Sequence, residues 1–126
     1  IRKEDGKYYF NEGSFQVLIL KRMNEAIAPF EGKDVIMGIR PEDIYDRFFV
    51  STQVTPHATP FNTIRVSVEV KEPLGSEVYL YLTSKKTNFI ARVTEKSVPE
   101  VGQELDAVFD MDVVHFFDPA TEKTII

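Results

Sequence analysis

Alternation of apolar and polar residues runs through most of the chain. From Asn62 to Lys71, Ile64, Val66, Val68 and Val70 fall on one side, while Arg65, Ser67, Glu69 and Lys71 fall on the other. That period of two predicts a half-buried strand. Glu72-Pro73-Leu74-Gly75 is expected to end it, because Pro removes a ladder donor and Gly permits a turn. Ser76 to Thr83 alternates again, with Val78, Leu80 and Leu82 opposite Tyr79 and Tyr81, and Thr87 to Thr94 forms a third strand through Phe89, Ala91 and Val93. Beyond the turn Pro99-Glu100-Val101-Gly102, strands are expected through Leu105, Ala107 and Phe109, then over Val113 to Phe117. Asp118-Pro119-Ala120-Thr121 turns the chain into a short final strand at Thr124 to Ile126.

The first third is less regular. Lys7 to Phe10 and Phe15 to Leu20 read as strands around the turn Asn11-Glu12-Gly13-Ser14, and Lys21 to Phe30 stays open between a short helix and irregular structure. Asp34 to Arg40 is a mostly apolar strand, followed by Pro41-Glu42-Asp43-Ile44 as a turn or single helical turn. Residues 51–61, rich in Thr and Pro, predict a long exposed loop dividing two halves of one unit. Many short strands separated by turn signals, without a long helix, define an all-β chain folded as a small β-barrel or sandwich.

With 126 residues and 43% hydrophobic content, one domain can bury a core without disulfides or metal. No apolar run reaches the roughly 20 residues needed to span a bilayer as a helix. The absence of Cys removes thiol chemistry and cysteine zinc sites. A start at Ile1 rather than Met is what an excised or processed piece of a longer protein would have. The net charge of −5 is spread along the chain and opposes a phosphate backbone, so no nucleic-acid partner is expected.

Catalytic constellations do not assemble from the residue types present. His57 in the Pro-rich loop reads as solvated, and His115 shares a strand face with Val113 and Phe117, where a packed, hydrogen-bonded imidazole is expected. No Gly-x-Ser-x-Gly elbow occurs, and Gly32-Lys33-Asp34, the nearest fragment to a phosphate loop, lacks the upstream Gly and the hydroxyl. The chain is therefore read as non-enzymatic, with no catalytic, metal or cofactor residues of its own. Tyr79 and Tyr81 followed by Lys85-Lys86 give a weak signal for a single-stranded nucleic-acid barrel, against which the acidic balance favours cross-strand packing or a protein contact.

Four spaced features occur together: Gly38-Ile39-Arg40-Pro41-Glu42, Glu72-Pro73-Leu74-Gly75-Ser76-Glu77, Phe109-Asp110, and His115-Phe116-Phe117-Asp118 leading to Thr121. Their order and spacing resemble the C-terminal regulatory region of the ATP-binding subunits of sugar ABC importers, the maltose and glycerol-phosphate type. The resemblance runs from about Val35 to Ile126. It implies an oligonucleotide-binding-like, TOBE-type β-barrel, with a second interleaved strand layer, fused after an ATPase domain that would hold ATP and Mg upstream of Ile1. It implies a cytoplasmic, non-catalytic module at the inner face of the cell membrane. Its partners would be a second copy of the subunit, the membrane subunits reached through the parent chain, and a regulatory protein.

The candidate positions carried by the resemblance are Arg40, Pro41, Glu42, Gly75, Glu77, Asp110, His115, Phe117 and Asp118. Fold maintenance is the first expectation for each. Pro41 should hold Arg40 extended, Arg40 and Glu42 are expected to pair, Gly75 should supply a turn conformation, and Asp118 should start a turn through its side chain. Phe48, Phe49, Tyr79, Tyr81, Phe116 and Phe117 are the aromatic candidates for contact area. The related molybdate importers imply an alternative, an oxyanion-binding barrel, for which Thr83-Ser84-Lys85-Lys86-Thr87 is the one plausible stretch.

Overall fold

A computed structural model describes residues 1–47, 58–93 and 100–126. Phe48, Phe49 and His57 lie outside the described residues. The N-terminal segment forms an antiparallel sheet of β1 (Arg2–Glu4), β2 (Lys7–Asn11) and β3 (Gln16–Leu18). β1 has no apolar alternation, and the sequence pattern passed over it. The open stretch 21–30 folds as single turns of 3-10 helix around α1 (Asn24–Ile27), burying Met23 and Ile27.

The main sheet has the order β5-β9-β6-β7-β8. Its strands are β5 (Ile44–Asp46), β6 (Thr63–Leu74), β7 (Glu77–Thr83), β8 (Asn88–Val93) and β9 (Glu104–Phe109). All pairings are antiparallel. The outer strands β5 and β8 also approach one another, so the sheet curls into a half-barrel. A separate ribbon joins β4 (Ile36–Gly38) to β10 (His115–Phe117). Strands from both sides of the loop near residue 60 thus share two sheets.

One core fills the curl. Ile64, Val66, Val68, Leu80 and Leu82 point inward as the alternation requires, meeting Leu105, Ala107 and Phe109 of β9. Phe109 sits between Phe15 and Phe89, edge-on to both, with centroids 6.1 and 5.5 Å away. Such T-shaped pairs contribute about 1 kcal/mol beyond area burial. The Phe15 pair ties the N-terminal segment to the barrel.

The final strand expected at Thr124 to Ile126 is reduced to a single bridge between Phe117 and Thr124. Three further strand expectations fail, each for a local reason. Val70 lies on the outer face, because the β6–β7 register shifts between Val68 and Val70 and leaves Glu69 as an extra bulge residue. Pro73 does not end β6, which runs to Leu74; β9 pairs only as far as Ser67, so the later part of β6 is an edge on that side, where Pro is tolerated. The facing of β10 is reversed. Val114 and Phe116 are buried, whereas Val113 and His115 are exposed, so His115 is not packed and Phe116 offers no contact area. Both faces of that stretch carry a Phe, and Gly38 leaves room for the Phe117 ring: a Cβ built there would stand 2.9 Å from Phe117 Cε2.

Candidate functional site

The hairpin joining β6 to β7 is two residues long, with Leu74 opposite Glu77. Gly75 takes φ +68°, while Ser76 stays out of the left-handed region, the combination of a type II′ turn that a side chain at the first position resists. This tight turn fixes Glu77 at the start of β7. On the adjacent strand, Arg92 of β8 stands opposite Tyr79. Its Nε lies 3.3 Å from Glu77 Oε2, and its Nη2 lies 3.8 Å from Glu42 Oε1.

Two of the spaced motifs therefore converge on one guanidinium. Glu42 reaches it from the 3-10 turn Pro41–Asp43, entered by Arg40 in the extended conformation that Pro41 imposes (φ −78°, ψ 148°). Arg40 is not the ion-pair partner of Glu42; Arg92 is. Sequence reasoning missed Arg92, whose only local signal is a charge among the half-buried positions of a strand.

Asp110 belongs to the same corner. Its backbone amide donates to the Asp43 carbonyl at 3.0 Å, and its Oδ1 accepts from the Asp112 amide at 3.1 Å. Desolvation, then the charges of Glu42 and Asp110, push the Asp43 carboxyl above the usual range against the opposing pull of Arg40. Tyr45 is pushed up by desolvation and the same three carboxylates. Asp118 is a turn residue: its Oδ1 accepts from the Ala120 amide at 2.9 Å. His115 lies opposite Gly38 on the exposed side of its ribbon. Among the described residues, no group of three or more His, Asp or Glu is placed to hold a metal.

The hairpin 83–87 is already engaged by the chain itself. Glu12, from the β2–β3 turn, accepts from the Ser84 hydroxyl at 2.8 Å, the Ser14 amide at 2.9 Å and the Ser14 hydroxyl at 2.5 Å. Desolvation raises its pKa, yet the hydrogen bonds from Ser14, Thr87 and Ser84 outweigh it and bring the carboxyl from 4.5 to about 2. A carboxylate thus already occupies the hydroxyl of this stretch, Ser84, that an oxyanion would need.

The outer face of β6, β7 and β8 is the remaining feature. The register aligns Val70, Tyr81 and Ile90 in one row and Glu72, Tyr79 and Arg92 in the next. Val70 is 50% and Leu74 47% exposed, and both tyrosines are half-buried. A shallow hollow of about 300 Å³ opens there between Glu69, Val70, Tyr81, Asn88 and Ile90.

A curled antiparallel sheet closed by short ribbons, with its polar corners spent on structural ion pairs, is an oligonucleotide-binding-like β module. Residues 58–116 match the TOBE domain family, and this stretch of the chain is a TOBE domain. The chain is also homologous to ATP-binding proteins of sugar ABC importers. It is 36% identical over 124 residues to the trehalose/maltose import ATP-binding protein of Thermococcus litoralis, an alignment covering 97% of this chain and 32% of that protein. It is 40% identical over 94 residues to the oligosaccharides import ATP-binding protein of Bacillus subtilis, covering 75% of this chain and 24% of the relative. A multiple sugar-binding transport ATP-binding protein of Streptococcus mutans is 40% identical over 96 residues, covering 76% and 24%. The chain thus spans a third or less of the length of these relatives.

Proposed function

We propose that this chain is the non-catalytic regulatory module of the ATP-binding subunit of a sugar ABC importer. The observation that carries the reading is the alignment of nearly the whole chain with a trehalose/maltose import ATP-binding protein, with a TOBE domain at its centre. In this reading ATP and Mg are held by an ATPase domain upstream, and the parent subunit works at the inner face of the cell membrane with its membrane subunits. The module contacts its counterpart in a second copy of the subunit and holds the pair together while the ATPase domains open and close. A regulatory protein acts by preferring one arrangement of the modules to another, a difference in contact energy between states.

The engagement of Glu12 with Ser84 and Ser14 favours this reading over the oxyanion-binding alternative, because a bound oxyanion would have to displace a carboxylate of the chain itself. The acidic balance opposes the single-stranded nucleic-acid alternative. The test is the parent subunit with and without this segment, followed by sedimentation and by nucleotide binding. Removal is expected to abolish dimers in the absence of ATP while leaving ATP binding intact. Unchanged dimers, with unchanged regulation of uptake, would refute the proposal.

A further inference from the structure

We infer that the outer face of β6, β7 and β8 is a docking surface for a partner segment that carries an apolar anchor flanked by Lys or Arg. The inference concerns this face alone and stands independently of how two copies of a parent subunit meet.

The bulge is the first observation. Continued alternation would place Val70 inward beside Val68; instead, one inserted residue, Glu69, turns Val70 out to 50% exposure. The strand thereby gives up a core position and completes the row Val70, Tyr81 and Ile90 on the outside. The hollow of about 300 Å³ along this row has room for one large apolar side chain, with Val70, Tyr81 and Ile90 as walls. Tyr is a residue type enriched where partners anchor.

The charge around the hollow selects the partner. Glu69 borders it and Glu72 lies in the adjoining row; both are exposed and make no ion pair among the described residues. The cation within these rows, Arg92, is already engaged by Glu77 and Glu42. Arg65, on the same strand, is held by Glu104 and Asp106 at 3.2 and 3.1 Å. Along the two rows and at the bulge the free charge is therefore negative; the exposed Lys85 and Lys86 lie beyond them on the β7–β8 hairpin, with the Lys86 amine turned toward Gly13. A second copy docking by the same face would bring Glu69 and Glu72 toward their own images around the two-fold axis, a like-charge contact. A phosphate backbone is repelled in the same way. A Lys- or Arg-flanked apolar segment satisfies both the hollow and its rim.

The test uses the whole chain and two synthetic amphipathic peptides. One carries Phe and Leu flanked by Lys, and the other is identical with Glu for every Lys. Binding is followed by amide chemical shifts and by titration at two salt concentrations. The Lys peptide is expected to shift the signals of Val70, Tyr81 and Ile90, to weaken as salt rises, and to lose about tenfold in affinity on Val70→Ser or on Glu69→Lys with Glu72→Lys. The double Lys variant is expected to prefer the Glu peptide. Equal binding of both peptides by the unaltered chain, shifts confined to another surface, or concentration-dependent self-association mapped to this face would each overturn the inference.

Discussion

Val68 and Val70 sit two positions apart on one strand, yet they face opposite sides of the sheet. Val68 is 2% exposed and Val70 is 50% exposed, because the bulge at Glu69 shifts the register between them. Truncation separates the two environments. Val68→Ala is expected to destabilise the fold by about 2 kcal/mol through lost transfer energy and a residual cavity. Val70→Ala is expected to stay within about 0.5 kcal/mol of the unaltered chain. Urea midpoints at constant m-value measure both, and equal losses at the two sites would remove the bulge from the account.

Gly38 lies under the Phe117 ring, where an added Cβ would come within 2.9 Å of Cε2. Gly38→Ala is expected to cost about 1–3 kcal/mol, the usual penalty of overpacking. Phe117→Leu in the same chain should recover part of that loss, since it removes the crowding atom. Thermal melts of the single and double variants report the coupling, and strict additivity would contradict the contact.

Glu12 joins the β2–β3 turn to the β7–β8 hairpin through Ser84. Its folded pKa of about 2 lies below its ordinary 4.5, so the folded state holds this proton more weakly than the unfolded chain. The contribution to stability is therefore complete above about 4.5 and is lost as pH falls toward 2. Glu12→Gln is expected to be less stable than the unaltered chain at neutral pH and to converge with it in that acid window. Denaturant midpoints against pH test this, and parallel curves would exclude Glu12 as the titrating group.

Asp43 behaves in the opposite sense. Desolvation and the neighbouring Glu42 and Asp110 raise its pKa, so stability from this group is present below its ordinary value of 3.8 and declines as pH rises through the raised one. Asp43→Asn is expected to raise the melting temperature at neutral pH and to change little in strong acid. A lower melting temperature at neutral pH would show that the carboxylate has a role in holding the turn.

Arg92 is only partly exposed, but its two partners are at the surface, and such pairs contribute about 0–1 kcal/mol. Arg92→Met is expected to lower stability by that small amount at low salt, with the difference shrinking as the Debye length falls to about 3 Å near 1 M salt. A large, salt-independent loss would mean that packing of the guanidinium stem, rather than charge, holds the corner.

The strands from Thr63 to Phe109 were legible because alternation reports burial directly when one face meets the core. Strands β1 and β5 were not, since three residues carry too little periodicity to register. The bulge at Glu69 left no trace in residue types, as Val70 continues the apolar rhythm while the backbone breaks it. In β10, adjacent Phe116 and Phe117 make both faces look apolar, and what separates them is the packing of Phe116 against Phe10 in the core and the room that Gly38 leaves for Phe117. At the candidate site, Glu42 and Glu77 stood out within motifs, but their meeting at Arg92 depends on a fold that brings residues 35 positions apart to the same guanidinium. In the sequence Glu12 is part of a turn signal only, and its bond to Ser84 spans 72 positions.

The reading as a module of a sugar importer's ATP-binding subunit is tested most directly on the native polypeptide containing this segment, by intact mass and sequencing of its upstream peptides. The account predicts a chain about three times as long as this one, as in the trehalose/maltose relative, with a phosphate-binding loop of the Gly-x-x-x-x-Gly-Lys-Ser/Thr type upstream of Ile1. A native chain that begins near Ile1 would contradict it.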